Sequence, residues 1–142
     1  MDFNLSEEEK LLKDNIHEFL QKKLRPIMRT IDQEERIPRE FVREAGKMGI
    51  WGAVFSKDVG GLQLSMTSAV IIAEELGWAD FSLATGVMYV LEEGWGYVLD
   101  RLGNSELRQE VLPKVVEGDY FLGVASTEPT GGSDVASIRT QA

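Results

Sequence analysis

The stretch FSLATGVMYVL, residues 81–91, contains no charged side chain, and its polar groups are confined to Ser82, Thr85 and Tyr89. A helix without a polar face has to be surrounded by protein, so this segment reads as the central element of a helical bundle. Asp80, directly before it, is a suitable cap. Working backwards, Ser65 caps a helix reaching Leu76, with Gly77 in the terminating position. The preceding WGAVFSKDVGGLQLS, with Gly52, Gly60 and Gly61, reads as a long connection. Before it, a helix starting at Pro38 buries Phe41, Ala45 and Met48 and stops at Gly49. At the N-terminus Ser6 and Glu9 have capping-box spacing, and Leu12, Ile16, Phe19, Leu20 and Ile27 recur at helical intervals. Glu7, Glu8 and Glu9 open this helix and Lys22, Lys23 and Arg25 close it, as the helix dipole favours, with Pro26 as its end or kink.

Working forwards, Glu92 and Glu93 break the apolar run, and GWGYVLDRLG continues as a short helix ending at Gly103. Asn104 or Ser105 caps a last helix to about Glu117, with Leu107, Val111, Leu112 and Val115 as its apolar face. Pro113 is placed to divide it into two short turns. Residues 1–118 therefore read as one helical domain. The pattern changes at Tyr120. YFLGVAS is a short apolar run suited to a buried strand, and SIRTQA alternates Ile138, Thr140 and Ala142 with polar neighbours. Two strands do not make a stable sheet alone, so residues 119–142 are expected to be the opening of a second, β-rich domain that is cut short. The expected fold class is thus all-α, a helical bundle with the first strands of a truncated β-domain at its C-terminus.

The chain has 142 residues, 43% of them hydrophobic and 27% charged, which suits one globular core. Its 15 Lys and Arg against 24 Asp and Glu leave a net charge of −9, which disfavours nucleic acid and anionic membranes as partners. Without cysteine there is no disulfide, thiolate metal site or thiol catalysis. The single histidine, His17, reads as an ordinary surface residue, because metal sites converge several ligands. The acidic start MDFNLSEEEK is unlike a signal peptide, and no apolar run approaches the roughly 18–20 residues that span a bilayer. A soluble, cytoplasmic protein is expected.

GVASTEPTGGSD, residues 123–134, is the segment that bears on chemistry. It lacks the GxGxxG and GxxxxGK[ST] spacings, and with no nearby base Ser133 has no partner for nucleophilic catalysis. Its amides and the hydroxyls of Ser126, Thr127, Thr130 and Ser133 can form a concavity for an anion or a polar ring edge. On composition alone the plainer reading, a connection between strands, is the favoured one.

ASTEPTGGSDVASIRTQA resembles the signature of the acyl-CoA dehydrogenase family, a T-E-P-x-x-G-S-D core that opens that family's middle β-domain. Thr127, Glu128, Pro129, Gly132, Ser133 and Asp134 stand in that core. MDFNLSEEEKLLKDNIHEFL, FVREAGKMGIWG, GGLQLS, EELGWAD and RLGNSELRQEVLPKVVEGD are similar to the family's N-terminal helical domain, in the family's order. The sequence departs from the pattern at Thr130–Gly131, and at Ser56, where a proline is common.

The resemblance implies an N-terminal fragment of an FAD-dependent enzyme that removes an α proton and a β hydride from an acyl-CoA thioester. It implies that Val124, Ala125, Ser126, Thr127, Gly132 and Ser133 form the edge of the flavin site, with Ser133 also reaching the substrate. Gly86, Val87 and Val90 would set the depth of the acyl-chain pocket. The family's catalytic carboxylate usually lies in a C-terminal bundle, so no residue here is expected to be the base, Glu128 is read as structural and Asp134 as a turn former. The fragment alone is expected to be inactive. An electron-transfer flavoprotein as electron acceptor and a homotetrameric full-length assembly are implied too. The rival expectations are an acyl-CoA oxidase or flavin-dependent oxygenase on the same scaffold, and a non-catalytic helical interaction module.

Overall fold

The computed structural model describes residues 4–141. Among these residues six helices follow one another: α1 (Glu7–Lys23), α2 (Met28–Glu34), α3 (Arg39–Lys47), α4 (Met66–Ala79), α5 (Ala84–Leu102) and α6 (Ser105–Val116). Single 3-10 turns lie at Lys57–Val59 and Val135–Ser137.

The N-terminus of α1 is fixed by the expected capping box. The Glu9 amide donates to Ser6 Oγ at 3.2 Å while the Ser6 amide donates to Glu9 Oε2 at 2.8 Å. Ile16, Leu20 and Leu24 then line the buried side of this first segment, where α1 packs along α4 through Ile72 and Leu76. Phe41, Val42 and Ala45 of α3 close the same core, with Ile50 and Trp51 behind them. The Trp51 indole N–H is satisfied by the Val42 carbonyl at 2.7 Å. A smaller second core joins Val54, Phe55 and Val59 to Leu112 and Val115 of α6.

Several helix boundaries differ from the sequence reading. Helix α2 stands where an end or kink of α1 was expected; Ile27 and Ile31, four residues apart, carry its contact with the core. Helix α4 continues through Gly77 to Ala79, because Ala79 is buried and Trp78 packs between His17 and Arg25. That packing outweighs the roughly 1 kcal/mol that a helical glycine costs. His17 is more than a surface residue: its Nδ1 lies 2.7 Å from Oε2 of the buried Glu75. Helix α6 runs unbroken through Pro113, held by the burial of Leu112 and Val115 on either side.

Helix α5 is the largest revision. It does not stop at Glu92 and Glu93 but runs 19 residues to Leu102. Nor is its first half enclosed, since Leu83, Val87 and Val90 are 58%, 57% and 63% exposed. Its buried side is carried by Thr85, Tyr89, Glu92, Glu93, Gly96 and Asp100, recurring at three and four residues.

The expected first strands of a truncated β-domain are not formed. Among the described residues there is no strand, and residues 120–127 have neither regular secondary structure nor a ladder partner. One isolated bridge joins Glu128 and Gly131 and closes a turn. The physical reason is lack of a partner: a strand is stable only when a neighbour takes its amides and carbonyls and covers a face. Here Phe121, Val124 and Ile138 remain exposed. Ala142, part of the second expected strand, lies outside the described residues.

Candidate functional site

Three acidic side chains on the inner side of α5 organise the loops around the C-terminal segment. The Glu93 carboxylate accepts hydrogen bonds from three successive amides, Gly52 at 2.5 Å, Ala53 at 2.7 Å and Val54 at 3.4 Å. One turn further, Gly96 lets the Phe55 ring lie against the helix backbone; a Cβ there would sit 2.0 Å from Phe55 Cζ. Next, Asp100 accepts from the Ser56 amide at 3.0 Å and the Ser56 hydroxyl at 2.8 Å. Arg108 of α6 reaches Asp100 at 2.7 Å and forms a two-pronged pair with Asp58, also 2.7 Å on each prong. Burial pushes the Asp100 carboxyl up, but bonds from Ser56 and Arg108 outweigh it and hold the group below its ordinary value. The family-atypical Ser56 thus has a specific task, because a proline in its place has no amide to give.

Glu92, on the same buried side, holds a different segment. Both of its oxygens accept from the Leu122 amide, at 3.1 and 3.0 Å, and the residue is only 2% exposed. Burial raises its pKa to about 7, against the Leu122 bond and with help from the neighbouring Glu93 charge. The strap before Leu122 is held from α3. Arg39 donates to the Asp119 carbonyl at 3.1 Å and lies 4.6 Å over the Phe121 ring, while Arg43 donates to the Asp119 carboxylate at 2.8 Å.

Past Leu122 the expected flavin-edge residues are laid out in the open. Val124, Ala125, Ser126 and Thr127 have no regular secondary structure and are exposed, and among the described residues their amides make no hydrogen bond within the chain. Gly132 folds back onto Thr127: a Cβ on Gly132 would meet Thr127 Cγ2 at 3.3 Å. Ser133 follows in the same bend, exposed. Glu128 closes the loop, its carboxylate accepting from the Arg139 amide at 3.1 Å, the Thr140 amide at 2.7 Å and the Thr140 hydroxyl at 2.5 Å. The Thr140 hydroxyl and then these amides hold Glu128 below the usual carboxylate range, poor conditions for a base that must take up a proton. Asp134 accepts at its carbonyl from the Ser137 hydroxyl, within the 3-10 turn.

The other expected residues meet elsewhere. Gly86, Val87 and Val90 of α5 line an apolar groove of about 370 Å³ together with Ala73, Gly77 and Leu83. A Cβ built on Gly77 or Gly86 meets nothing within 4 Å. Two glycines inside helices therefore keep this groove wide, at a conformational cost of about 1 kcal/mol each.

The acids of α5 were not legible as site residues. Their signal is three carboxylates in an otherwise apolar helix at positions 92, 93 and 100, on one helical side with Gly96 between them.

Comparison with known proteins places this architecture. The family model for the acyl-CoA dehydrogenase N-terminal domain matches residues 6–119. The chain belongs to the acyl-CoA dehydrogenase family, a family of flavin-dependent oxidoreductases, and the matched part is the N-terminal helical domain. Mitochondrial isobutyryl-CoA dehydrogenase of Dictyostelium discoideum is 35% identical over 138 residues, covering 97% of this chain and 33% of that protein. The crystal structure of acyl-CoA dehydrogenase from Geobacillus kaustophilus has a TM-score of 0.87 at 29% identity, covering 97% of this chain and 36% of that one. For acyl-CoA dehydrogenase complexed with FAD from Bacillus anthracis the values are 0.82 and 26%, with 96% and 23% covered. The chain thus spans about a third or less of the length of these relatives. The resemblance is corrected in one respect: it holds for the helical domain, while the reading of the last residues as the start of a middle β-domain fails, because the family match ends at residue 119 and no described residue after it is in a strand.

Proposed function

We propose that this chain is the helical portion of an enzyme that dehydrogenates an acyl-CoA thioester between its α and β carbons with FAD as oxidant. FAD supplies the acceptor for the β hydride, and the α proton goes to a carboxylate that is not assigned to any residue of this chain. The observation that carries the reading is the open row at Val124, Ala125, Ser126 and Thr127. Their unpaired amides, with the Thr127 and Ser133 hydroxyls, fit the polar edge of an isoalloxazine ring, where donors favour the electron-rich reduced form. Gly132 is compatible with this fit, since its bare backbone lies against Thr127. The groove at Gly86, Val87 and Val90 takes the apolar acyl chain, and Ser133 also reaches the substrate. Electrons then leave to an electron-transfer flavoprotein, and the natural polypeptide assembles as a homotetramer.

The test is anaerobic titration of the natural polypeptide that carries this sequence, purified from riboflavin-supplemented cells, with acyl-CoAs of graded length. Bleaching of the oxidised flavin absorbance by at least one acyl-CoA is expected. A colourless preparation that takes up no FAD refutes the reading. Bleaching followed by rapid reoxidation in air with peroxide release would move the assignment to an oxidase.

A further inference from the structure

Leu122 is the last residue before the exposed segment that is held from two sides. Its side chain packs on the second core, beside Val54, Phe55 and Leu112, and its amide is held by both oxygens of Glu92. From Asp119 to Gln141 no residue is buried, so past Leu122 the segment is guided by its own turn and by the Glu128 clasp. The other acid beside Glu92 on α5, Glu93, is already committed to the three amides at Gly52, Ala53 and Val54. Arg39 and Arg43 hold Asp119 and Phe121, and neither donates a hydrogen bond to Leu122. Among the described residues, the bond to Glu92 is therefore the one polar contact that fixes the chain two residues ahead of Val124. It starts from the same helix that presents Val87 and Val90 to the groove two turns or less away.

We propose that Glu92 is a positioning residue whose carboxylate fixes Leu122 and so sets the direction in which Val124, Ala125, Ser126 and Thr127 offer their amides to the flavin. This rests on the reading above that these residues edge the flavin. One rigid helix then places both the acyl groove and the origin of the flavin-facing segment, so the relative position of substrate chain and ring is set within α5 rather than by the loop.

Three variants of the FAD-loaded natural polypeptide test this. Glu92→Leu fills the space without an acceptor, Glu92→Ala removes the side chain, and Glu92→Gln keeps one carbonyl oxygen for the Leu122 amide. Three readouts are followed: amide hydrogen exchange at Leu122, the visible circular dichroism of bound flavin, and the FAD dissociation constant. Loss of a bond to a buried carboxylate speeds Leu122 exchange about tenfold or more. In Glu92→Leu and Glu92→Ala this gain, an altered flavin dichroism and about tenfold weaker FAD binding are expected, and Glu92→Gln returns all three to within about twofold of wild type. If Glu92→Ala does not fold, Glu92→Leu, which keeps the core filled, decides. Wild-type exchange at Leu122 in both apolar variants overturns the proposal, as does faster exchange with unchanged dichroism and affinity. A wild-type polypeptide without flavin refutes the underlying reading instead, and the exchange measurement, which needs no flavin, separates that failure from a failure of Glu92 to hold Leu122.

Discussion

Glu92→Gln should change how stability responds to pH, and the size of the change follows from the surroundings of the carboxyl. In the unfolded chain this group has a pKa near 4.5; in the folded protein burial raises it to about 7. An acid raised on folding binds its proton more tightly in the native state. Its contribution is therefore fully present below about pH 4.5 and is lost as pH rises to about 7, where the folded protein must carry a buried anion. That interval corresponds to a ceiling of about 3 kcal/mol, and relaxation of the surrounding protein brings the expected loss to about 2 kcal/mol. Gln has the same shape and no titration in this range. Urea unfolding of wild type and variant, followed by tryptophan fluorescence at a series of pH values from 5 to 8.5, isolates the effect in the difference between the two curves. Near pH 5 the proteins should be nearly equal; by pH 8.5 the variant should be more stable by about 2 kcal/mol, roughly a thirtyfold change in the folding equilibrium. The acids that folding depresses, Asp80 and Asp100 among them, titrate lower and in both proteins, so they cancel. A stability difference that stays flat across this range would show that the Glu92 carboxyl is not buried as described.

Other outcomes follow from single contacts. Gly96→Ala should destabilise by about 3 kcal/mol in thermal or urea unfolding, since its methyl would overlap the fully buried Phe55 ring; Gly94→Ala, with nothing within 4 Å, should stabilise by about 1 kcal/mol. Ser56→Pro suits the local φ of −62° but removes the amide and hydroxyl bonds to Asp100, so a net loss of about 2 kcal/mol is expected, with Ser56→Ala intermediate. Gly86→Leu should fill the groove and, on the proposed function, lower kcat/KM for long acyl-CoAs at least tenfold more than for short ones; an unchanged length profile would remove the groove as the proposed acyl site.

The parts of the fold that sequence made legible are those ruled by local chemistry. The capping box at Ser6 and Glu9 and the Asn104 cap of α6 formed as their spacing dictates, because a side chain and an amide three residues apart need nothing else. Elements decided by distant partners were not legible. Glu92 and Glu93 read as a helix break only because the amides that satisfy them lie 30 to 41 residues away in sequence. Gly77 read as a stop because the packing of Trp78 onto α1 is invisible locally. The apolar run 81–91 reads as enclosed on all sides, whereas its Val87 and Val90 side lies open. The same limitation governs residues 120–142, whose alternation has the period of strands but whose pairing depends on neighbours that the sequence pattern does not supply. For the candidate site, the glycine and hydroxyl content of 123–134 points to exposed donors, while Glu92, which anchors the segment, reads as a helix break because the Leu122 amide it holds lies 30 residues away.

The strap from Asp119 to Leu122 also has a mechanical reading. Three side chains, Arg39, Arg43 and Glu92, rivet it to two different helices, so a pull applied at the far C-terminal end is resisted across several bonds at once instead of peeling α6 turn by turn. Leu122 is accordingly the seam of the molecule, the last residue tied to the bundle both by side-chain packing and by a hydrogen bond from its amide.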